Sequence, residues 1–569
     1  MISDADAPKK LHKNEYIKTD SNYLRGTILE GLSDSLTGQV ADDDTQLLKF
    51  HGIYQQDDRD LRNERRKQRL EKLFSFMIRV RVPGGVSTSE QYLAMDHLCD
   101  TYCNGTLKLT TRQAYQVHGV LKHNLKTTMQ GINKAAMDTI AACGDVNRNV
   151  MCNPNPHQSE LHADALKVAS DISAHLTPQT GAYHEIWLDG EKVESSEEEV
   201  EPIYGKTYLP RKFKIAMAIP PSNDVDVFAH CLGYIAIVED GRLVGFNVTV
   251  GGGMGTTHGK KATYPRLADV MGFCTVDQAV AVAEAVVKVQ RDHGQRADRT
   301  HARFKYTVDD HGVDWIRDKV EGYLDFKMQP ARDYSFDSMG DRYGWVEGPD
   351  GKQNLTLFIE NGRVNDFGDL KIKTALREVA KIHTGDFRLT ANQNMIIANI
   401  DPAMRGQIEA ILSENGLDDT YVKSGIRLNS MACVALPTCG LALAESQRYL
   451  PELVTRLESE LEQVGLKDEP IVIRMTGCPN GCARPFMAEI GLVGKAPNRY
   501  NLYLGAAFDG SRMSKLVKES ASEDEIVEVV KPLFGRFAAE KESEEHFGDF
   551  LIRAGVVAPV KVARTDFHD

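Results

Sequence analysis

The stretch Asn429-Ser-Met-Ala-Cys433-Val-Ala-Leu-Pro-Thr-Cys439, followed after a helix-length gap by Thr476-Gly-Cys478-Pro-Asn-Gly-Cys482, decides how the rest of the chain is read. Its four thiols come in two short clips, each punctuated by Pro or Gly so that the backbone can curl round a compact metal core. Four thiolates are what closes a cubane iron–sulfur cluster. Structural zinc is the rival, but its cysteine pairs are usually spaced roughly two to four residues apart, and the gap from Cys433 to Cys439 is wider. Core cysteines without metal are a third reading. Spacing favours the cluster over both.

At 569 residues the chain has room for about three or four domains. Its composition, 42% hydrophobic and 26% charged, is that of an ordinary globular protein, and no apolar run approaches the roughly 20 residues that span a bilayer. The stretch Met1-Ile-Ser-Asp-Ala-Asp-Ala-Pro-Lys-Lys has no apolar segment of the secretory kind, so a cytoplasmic location with reduced thiols is expected. Outside the clips, Cys99, Cys103, Cys143, Cys152, Cys231 and Cys274 read as small buried apolar residues. A net charge of −13 argues against general nucleic-acid binding.

Residues 1–72 are polar and end in the charged run Arg59-Asp-Leu-Arg-Asn-Glu-Arg-Arg-Lys-Gln-Arg69. Composition favours a solvated, partly helical extension, with a docking arm for a protein partner as the sharper alternative. Phe74 to Val82 reads as a strand ending at Pro83-Gly-Gly85, with Arg79 and Arg81 on one face. Leu107 to His118 alternates like another strand, with Arg112, Gln116 and His118 spaced to line a polar site, although on the residues alone a plain solvent face is slightly favoured. The segment Asp145 to Pro156, which contains Arg148, is too rich in Asn and Pro to be regular. Leu209 to Ile219 enters a strand with Lys212 and Lys214 on one face, and basic residues recur at Arg303 and Lys305. The acidic run Glu194 to Glu201 reads as a solvated insertion. Gly251-Gly-Gly-Met-Gly255 lacks the full Gly-x-Gly-x-x-Gly spacing and a surrounding βαβ unit, so a dinucleotide site is disfavoured, although its amides can cradle anions.

The second half echoes the first. Asp386-Phe-Arg-Leu-Thr390-Ala-Asn392-Gln393 mirrors Thr106-Leu-Lys-Leu-Thr110-Thr-Arg112-Gln113, and Cys433 lies about as far beyond its copy as Cys152 does beyond the other. A duplicated architecture about a pseudo-twofold axis is expected, with one cofactor set per chain, because the copies differ where chemistry would differ.

The run Gly477 to Cys482, lying near the Cys433–Cys439 clip, resembles the signature of the sulfite and nitrite reductase hemoprotein family, and the likeness extends from about residue 74 to the C-terminus. The resemblance implies an α+β fold with a central domain built from two non-contiguous segments and two related flanking domains. On this chain that gives a charged extension over 1–72, a ferredoxin-like half at 73–145, a cofactor and substrate domain at 146–346, the second half at 347–420 and an iron–sulfur domain at 421–569. It implies a siroheme bridged through the Cys482 thiolate to a [4Fe-4S] cluster on Cys433, Cys439, Cys478 and Cys482. Thr110, Arg112, Gln116, His118 and Asn480 would help hold the siroheme, as would Arg211, Arg303 and Lys305. Arg81, Arg148, Lys212 and Lys214 would surround the substrate anion. The implied reaction is six-electron reduction of sulfite to sulfide, with nitrite reduction as the alternative and a non-catalytic electron carrier as the reading from another class. Since the chain carries no convincing flavin or nicotinamide domain, the resemblance also implies a diflavin NADPH-dependent reductase subunit as donor, with ferredoxin as the other candidate.

Overall fold

The computed structural model describes residues 10–154, 159–190, 199–418 and 420–568, and among these lie four five-stranded sheets and a small two-stranded one. Two antiparallel sheets form the centre. In one, Ile53–Asp57, Phe74–Arg79, Tyr115–Val120, Leu107–Leu109 and Arg363–Val364 lie side by side; in the other, Gly344–Glu347, Gln353–Leu357, Met395–Ile400, Asp386–Leu389 and Val86–Thr88 do the same. Each half therefore lends the other its edge strand. Arg363 pairs with Lys108 in one sheet, and Ser87 pairs with Phe387 in the other. The exchange satisfies edge groups that would otherwise be left open. The helices Ser89–Tyr102 and Ile372–Ile382 lie against each other; the second buries Ile372, Ala375, Leu376, Val379 and Ala380, a single stripe at helical spacing.

The flanking sheets share one topology. Met151–Cys152, Ile215–Ala218 and Leu232–Glu239 run parallel and continue antiparallel into Arg242–Val250 and Asp269–Thr275. Ser430–Ala432, Ile473–Thr476, Ile490–Ala496, Arg499–Leu504 and Lys515–Ala521 repeat that order and polarity. The duplication expected from sequence thus extends to every strand of the flanking units.

Leu107 to His118 is not one strand but a hairpin, with Lys108 opposite Gln116 and Leu109 opposite Tyr115. The turn is built by Thr110, whose hydroxyl accepts from the Arg112 and Ala114 amides, while Gln113 takes a left-handed φ of 50°. This lifts Arg112 to the hairpin tip. The second half repeats the device: the Thr390 hydroxyl accepts from the Asn392 and Asn394 amides, and Gln393 has φ 71°. The two tips interlock, since Gln113 Nε2 donates to the Leu389 carbonyl at 2.9 Å and Gln393 Nε2 to the Leu109 carbonyl at 3.3 Å.

The N-terminal segment is not a solvated extension. Leu24, Ile28, Leu47, Leu48, Phe50 and Ile53 are buried in the main core, and Ile53–Asp57 pairs along its length with Phe74–Arg79. Buried Lys18 donates to Glu15 at 2.7 Å and to the Leu209 carbonyl at 2.6 Å, tying the segment to the domain behind it. Of the acidic insertion, Glu194 to Glu198 lie outside the described residues.

Candidate active site

The two cysteine clips close on each other at the ends of adjacent parallel strands. Cys433 follows Ser430–Ala432 and Cys478 follows Ile473–Thr476. The Gly477 amide donates to Cys433 Sγ at 3.4 Å, Asn480 Nδ2 donates to Cys478 Sγ at 3.5 Å, and the amides of Leu441 and Ala442 point at the Cys439 sulfur. Burial pushes these thiols up, and neighbouring thiols add to it: Cys482, Cys478 and Cys439 all act on Cys433. A metal centre that stabilises thiolate resolves that conflict. Among the described residues no three His, Cys, Asp or Glu side chains gather closely enough to hold a single ion.

Cys482 is the exposed member of the set, and it faces a cleft. Across that cleft its charge acts on Arg79, Lys212 and Lys214. The two lysines flank Phe213, which bridges to Asn147, so both project from the extended segment leading into Ile215–Ala218. They retain accessible surface although deep in the molecule, as residues lining an internal cleft do. Burial, then Arg303 and Arg211, push Lys212 down to about 7. Burial, then Arg112, Lys212 and Arg303, push Lys214 well below the usual amine range. Arg112 is depressed in the same way by burial, Arg148 and Arg484, and burial takes Arg211 down to about 10. The carboxylate at the rim is Asp145, 3.9 Å from Arg211, and Arg299 already holds it bidentately at 2.8 and 3.0 Å. A buried group of cations that repel one another, with Arg112 Nε and Arg303 Nε lacking partners, has the donor set for a polycarboxylate and a small oxyanion.

Arg148, Lys212, Lys214, Arg112, Arg211 and Arg303 are brought together. Arg148 donates Nε to the Ala142 carbonyl at 2.7 Å, and Arg112 donates Nη2 to the Asn149 and Ile215 carbonyls at 2.6 and 3.2 Å, so both enter from a fixed side. Arg81 is not brought in. Its guanidinium is held by Asp138, with Nε at 3.0 Å from Oδ1 and Nη2 at 2.5 Å from Oδ2, and by Thr177 and the Ser173 carbonyl. The regular strand ends at Arg79, after which Arg81 bridges to Asp138, so a two-residue periodicity no longer places both arginines on one face. Arg79 takes the place in the cleft that Arg81 was expected to fill.

Lys305 is likewise spent elsewhere. Its ammonium donates to the carbonyls of Gly253, Gly255 and Tyr264, which accounts for all three of its N–H bonds. It shapes the Gly251–Gly255 loop, and that loop in turn rests on the second clip: the Thr256 amide donates to the Pro479 carbonyl at 2.8 Å. A Cβ on Gly255 would lie 3.0 Å from the Asn480 carbonyl oxygen, and one on Gly481 3.0 Å from that of Met254, so the loops meet with no room for side chains. Thr110 acts through the hairpin turn. Asn480 touches Cys478. Gln116 and His118 lie beside Arg79.

Four features escaped the sequence. Tyr54 and Gln56, from the N-terminal strand, reach the site, Tyr54 beside Cys143, Arg148 and Arg79. Lys108, buried beside Cys433, donates to Gln447 and to the Asn361 carbonyl. Arg474 and Arg484 share buried Asp226, with Arg474 Nη1 2.6 Å from its Oδ2. Asp226 and Arg484 occupy matching left-handed positions, φ 50° and 51°, in the two flanking units, so this pair sits on the pseudo-twofold relation. At the second hairpin tip, Asp341 accepts from Thr390 at 2.6 Å, Asn392 at 3.0 Å and Asn394 at 2.7 Å.

A model described as "Nitrite/Sulfite reductase ferredoxin-like half domain" matches residues 69–135 and 347–415, the two halves that exchange strands. A "Nitrite and sulphite reductase 4Fe-4S domain" model matches 167–328, the flanking unit that carries the lysines. A "Sulfite reductase [NADPH] hemoprotein beta-component" of Staphylococcus saprophyticus is 58% identical over 560 residues, covering 98% of each chain. The chain belongs to the nitrite and sulfite reductase family. A protein of the same name from Geobacillus kaustophilus is 59% identical over 98% of this chain and 97% of its own. The structure of the Mycobacterium tuberculosis NirA protein shares the fold, with a TM-score of 0.77 at 23% identity over 95% of this chain and 96% of that one. Membership in the nitrite and sulfite reductase family agrees with the split central domain and paired flanking units. Among the described residues no helix is long and apolar enough to cross a membrane.

Proposed function

We propose that the chain reduces sulfite to sulfide, taking up six electrons and six protons and releasing three waters, with siroheme and a [4Fe-4S] cluster as cofactors. The observation that carries this reading is the cation-rich cleft facing Cys482, where the buried cations depress one another and the rim carboxylate, Asp145, is already held by Arg299. Its curated relatives carry sulfite reductase in their names, which favours sulfite over nitrite. Cys433, Cys439, Cys478 and Cys482 would hold the cluster, Cys482 would also help hold the siroheme, and Arg112, Arg211 and Arg303 would meet siroheme carboxylates. When bound, that pair supplies electrons to the substrate sulfur.

The chain's own residues do the rest. Arg79 and Arg148 bind oxyanion oxygens through fixed N–H donors, and Lys212 and Lys214 add compact charge. Each S–O bond can break only if its oxygen leaves as water, so protons must arrive at those oxygens; an ammonium depressed toward neutrality, as Lys212 is, gives up a proton more readily than an ordinary lysine. The absorption spectrum of the purified protein, with iron and acid-labile sulfide on the same sample, is expected to give tetrapyrrole bands and cluster iron. Sulfite turnover is expected to exceed nitrite turnover at saturation. Colourless protein containing zinc would overturn the reading.

The electron donor on this reading is a diflavin NADPH-dependent subunit, docking on the segment that ends the N-terminal region. Arg66, Lys67 and Arg69 are exposed there beside exposed Leu61, Leu70 and Leu73. Arg59, which opens the same charged run, donates to the Cys439 and Ala442 carbonyls at 3.1 and 2.6 Å, so the run starts against the loop that carries Cys439. Reversing Arg66, Lys67 and Arg69 to Glu is expected to lower donor-dependent turnover about tenfold or more at low salt, leaving turnover with a small chemical reductant unchanged. Equal rates with the protein donor would remove this surface from the electron path.

A further inference from the structure

The resemblance assigns Gln116 and His118 to siroheme, but their hydrogen bonds give them another task. Arg79 Nε and Nη2 both reach Gln116 Oε1, at 2.9 and 2.6 Å. Gln116 Nε2 is 2.8 Å from His118 Nε2, and His118 Nδ1 is 3.0 Å from Gln56 Oε1.

An arginine can only donate, and this fixes every group behind it. Gln116 must turn its oxygen to Arg79 and therefore its amide nitrogen to His118. His118 Nε2 must accept, so the ring is neutral with its proton on Nδ1. Gln56 must present its oxygen to that proton. Burial, with Lys108 and Arg79 nearby, pushes His118 down to about 3, which keeps the ring in this state at any working pH. Both ring nitrogens are occupied, and His118 has none left for a siroheme carboxylate.

We infer that Gln56, His118 and Gln116 are positioning residues that hold one edge of Arg79, so that its remaining N–H groups present a fixed fork to the substrate oxyanion. Arg79 Nη1 is steadied on the other side by Cys143 Sγ at 3.3 Å. The inference rests on the reading of the cleft as an oxyanion site. It brings the N-terminal strand into substrate binding: Gln56 lies on Ile53–Asp57, opposite Ser75 in register.

The test combines Gln56→Leu, His118→Phe and the double variant in the holoenzyme, with sulfite affinity read from the shift of the tetrapyrrole bands on titration and cofactor content from the same spectra. Each single variant is expected to weaken sulfite binding and raise KM about tenfold, with a smaller change in kcat and full tetrapyrrole content. The double variant is expected to match the singles, because the chain is already broken. Gln56→Glu, which keeps the acceptor, is expected to restore affinity at alkaline pH. Loss of tetrapyrrole in His118→Phe with Gln56→Leu unchanged would overturn the relay and return His118 to the cofactor. A sulfite-active parent whose Gln56→Leu variant binds sulfite normally overturns the relay alone, whereas a parent without sulfite turnover overturns the underlying reading as well.

Discussion

Replacing Arg79 by Leu is expected to lower kcat/KM for sulfite by about 10²–10³-fold while leaving tetrapyrrole and iron content intact, the range for removing a preorganised donor to a reacting oxyanion. Arg81→Leu is expected to do the reverse. It breaks a partly buried pair with Asp138 and the bonds to Ser173 and Thr177, which lowers stability by about 1–3 kcal/mol but leaves sulfite kinetics near the parent's. Steady-state kinetics and urea midpoints on the two variants separate the assignments. Turnover lost in Arg81→Leu and kept in Arg79→Leu would restore Arg81 to the cleft.

The second large effect is expected at the pseudo-twofold relation. Asp226 is fully buried and balances Arg474 and Arg484, which are 1% and 3% exposed. Asp226→Asn keeps the shape and the left-handed backbone but removes the charge, leaving two buried guanidinium groups without their paired anion and with Asp341 as the remaining carboxylate that acts on both. The expected cost is about 3–5 kcal/mol. Arg484 also donates to the Thr111 carbonyl at 2.8 Å and the Ala391 carbonyl at 2.9 Å, and the Thr111 hydroxyl donates to the Cys482 carbonyl at 3.0 Å. Releasing Arg484 therefore loosens the loop that presents Cys482, so cluster iron is expected to fall together with the urea midpoint. A variant with an unchanged midpoint and full iron content would show that the pair matters little.

What was legible in the sequence was what is encoded locally. The clips carry their turn residues with them, and the repeat keeps Thr110 and Thr390, Gln113 and Gln393, because the same hairpin must be built twice. Long-range capture was hidden. Arg81 is claimed by Asp138, 57 residues away, and Lys305 by carbonyls 41 to 52 residues away. Nothing in the spacing of either residue announces its partner. The N-terminal segment reads as a solvated extension for a related reason: its charges dominate its composition, while Leu24, Ile28, Leu47, Leu48, Phe50 and Ile53 enter the core. One strand, Leu107 to His118, became two because a threonine hydroxyl that satisfies two amides makes a turn where alternation alone predicts extension.

The exchanged edge strands also set an order of assembly. Neither central sheet is complete until the other half of the chain has been synthesised: the Ser87 hydroxyl meets the Phe387 carbonyl across 300 residues of sequence. Pairings of such separation form late and slowly, and until they form each half exposes an open strand edge. A nascent chain released early would carry thiols and cations without the walls that bring them together. Maturation is thereby timed by the last strand to dock, and a chain cut between the halves would expose sticky edges rather than yield two small working modules.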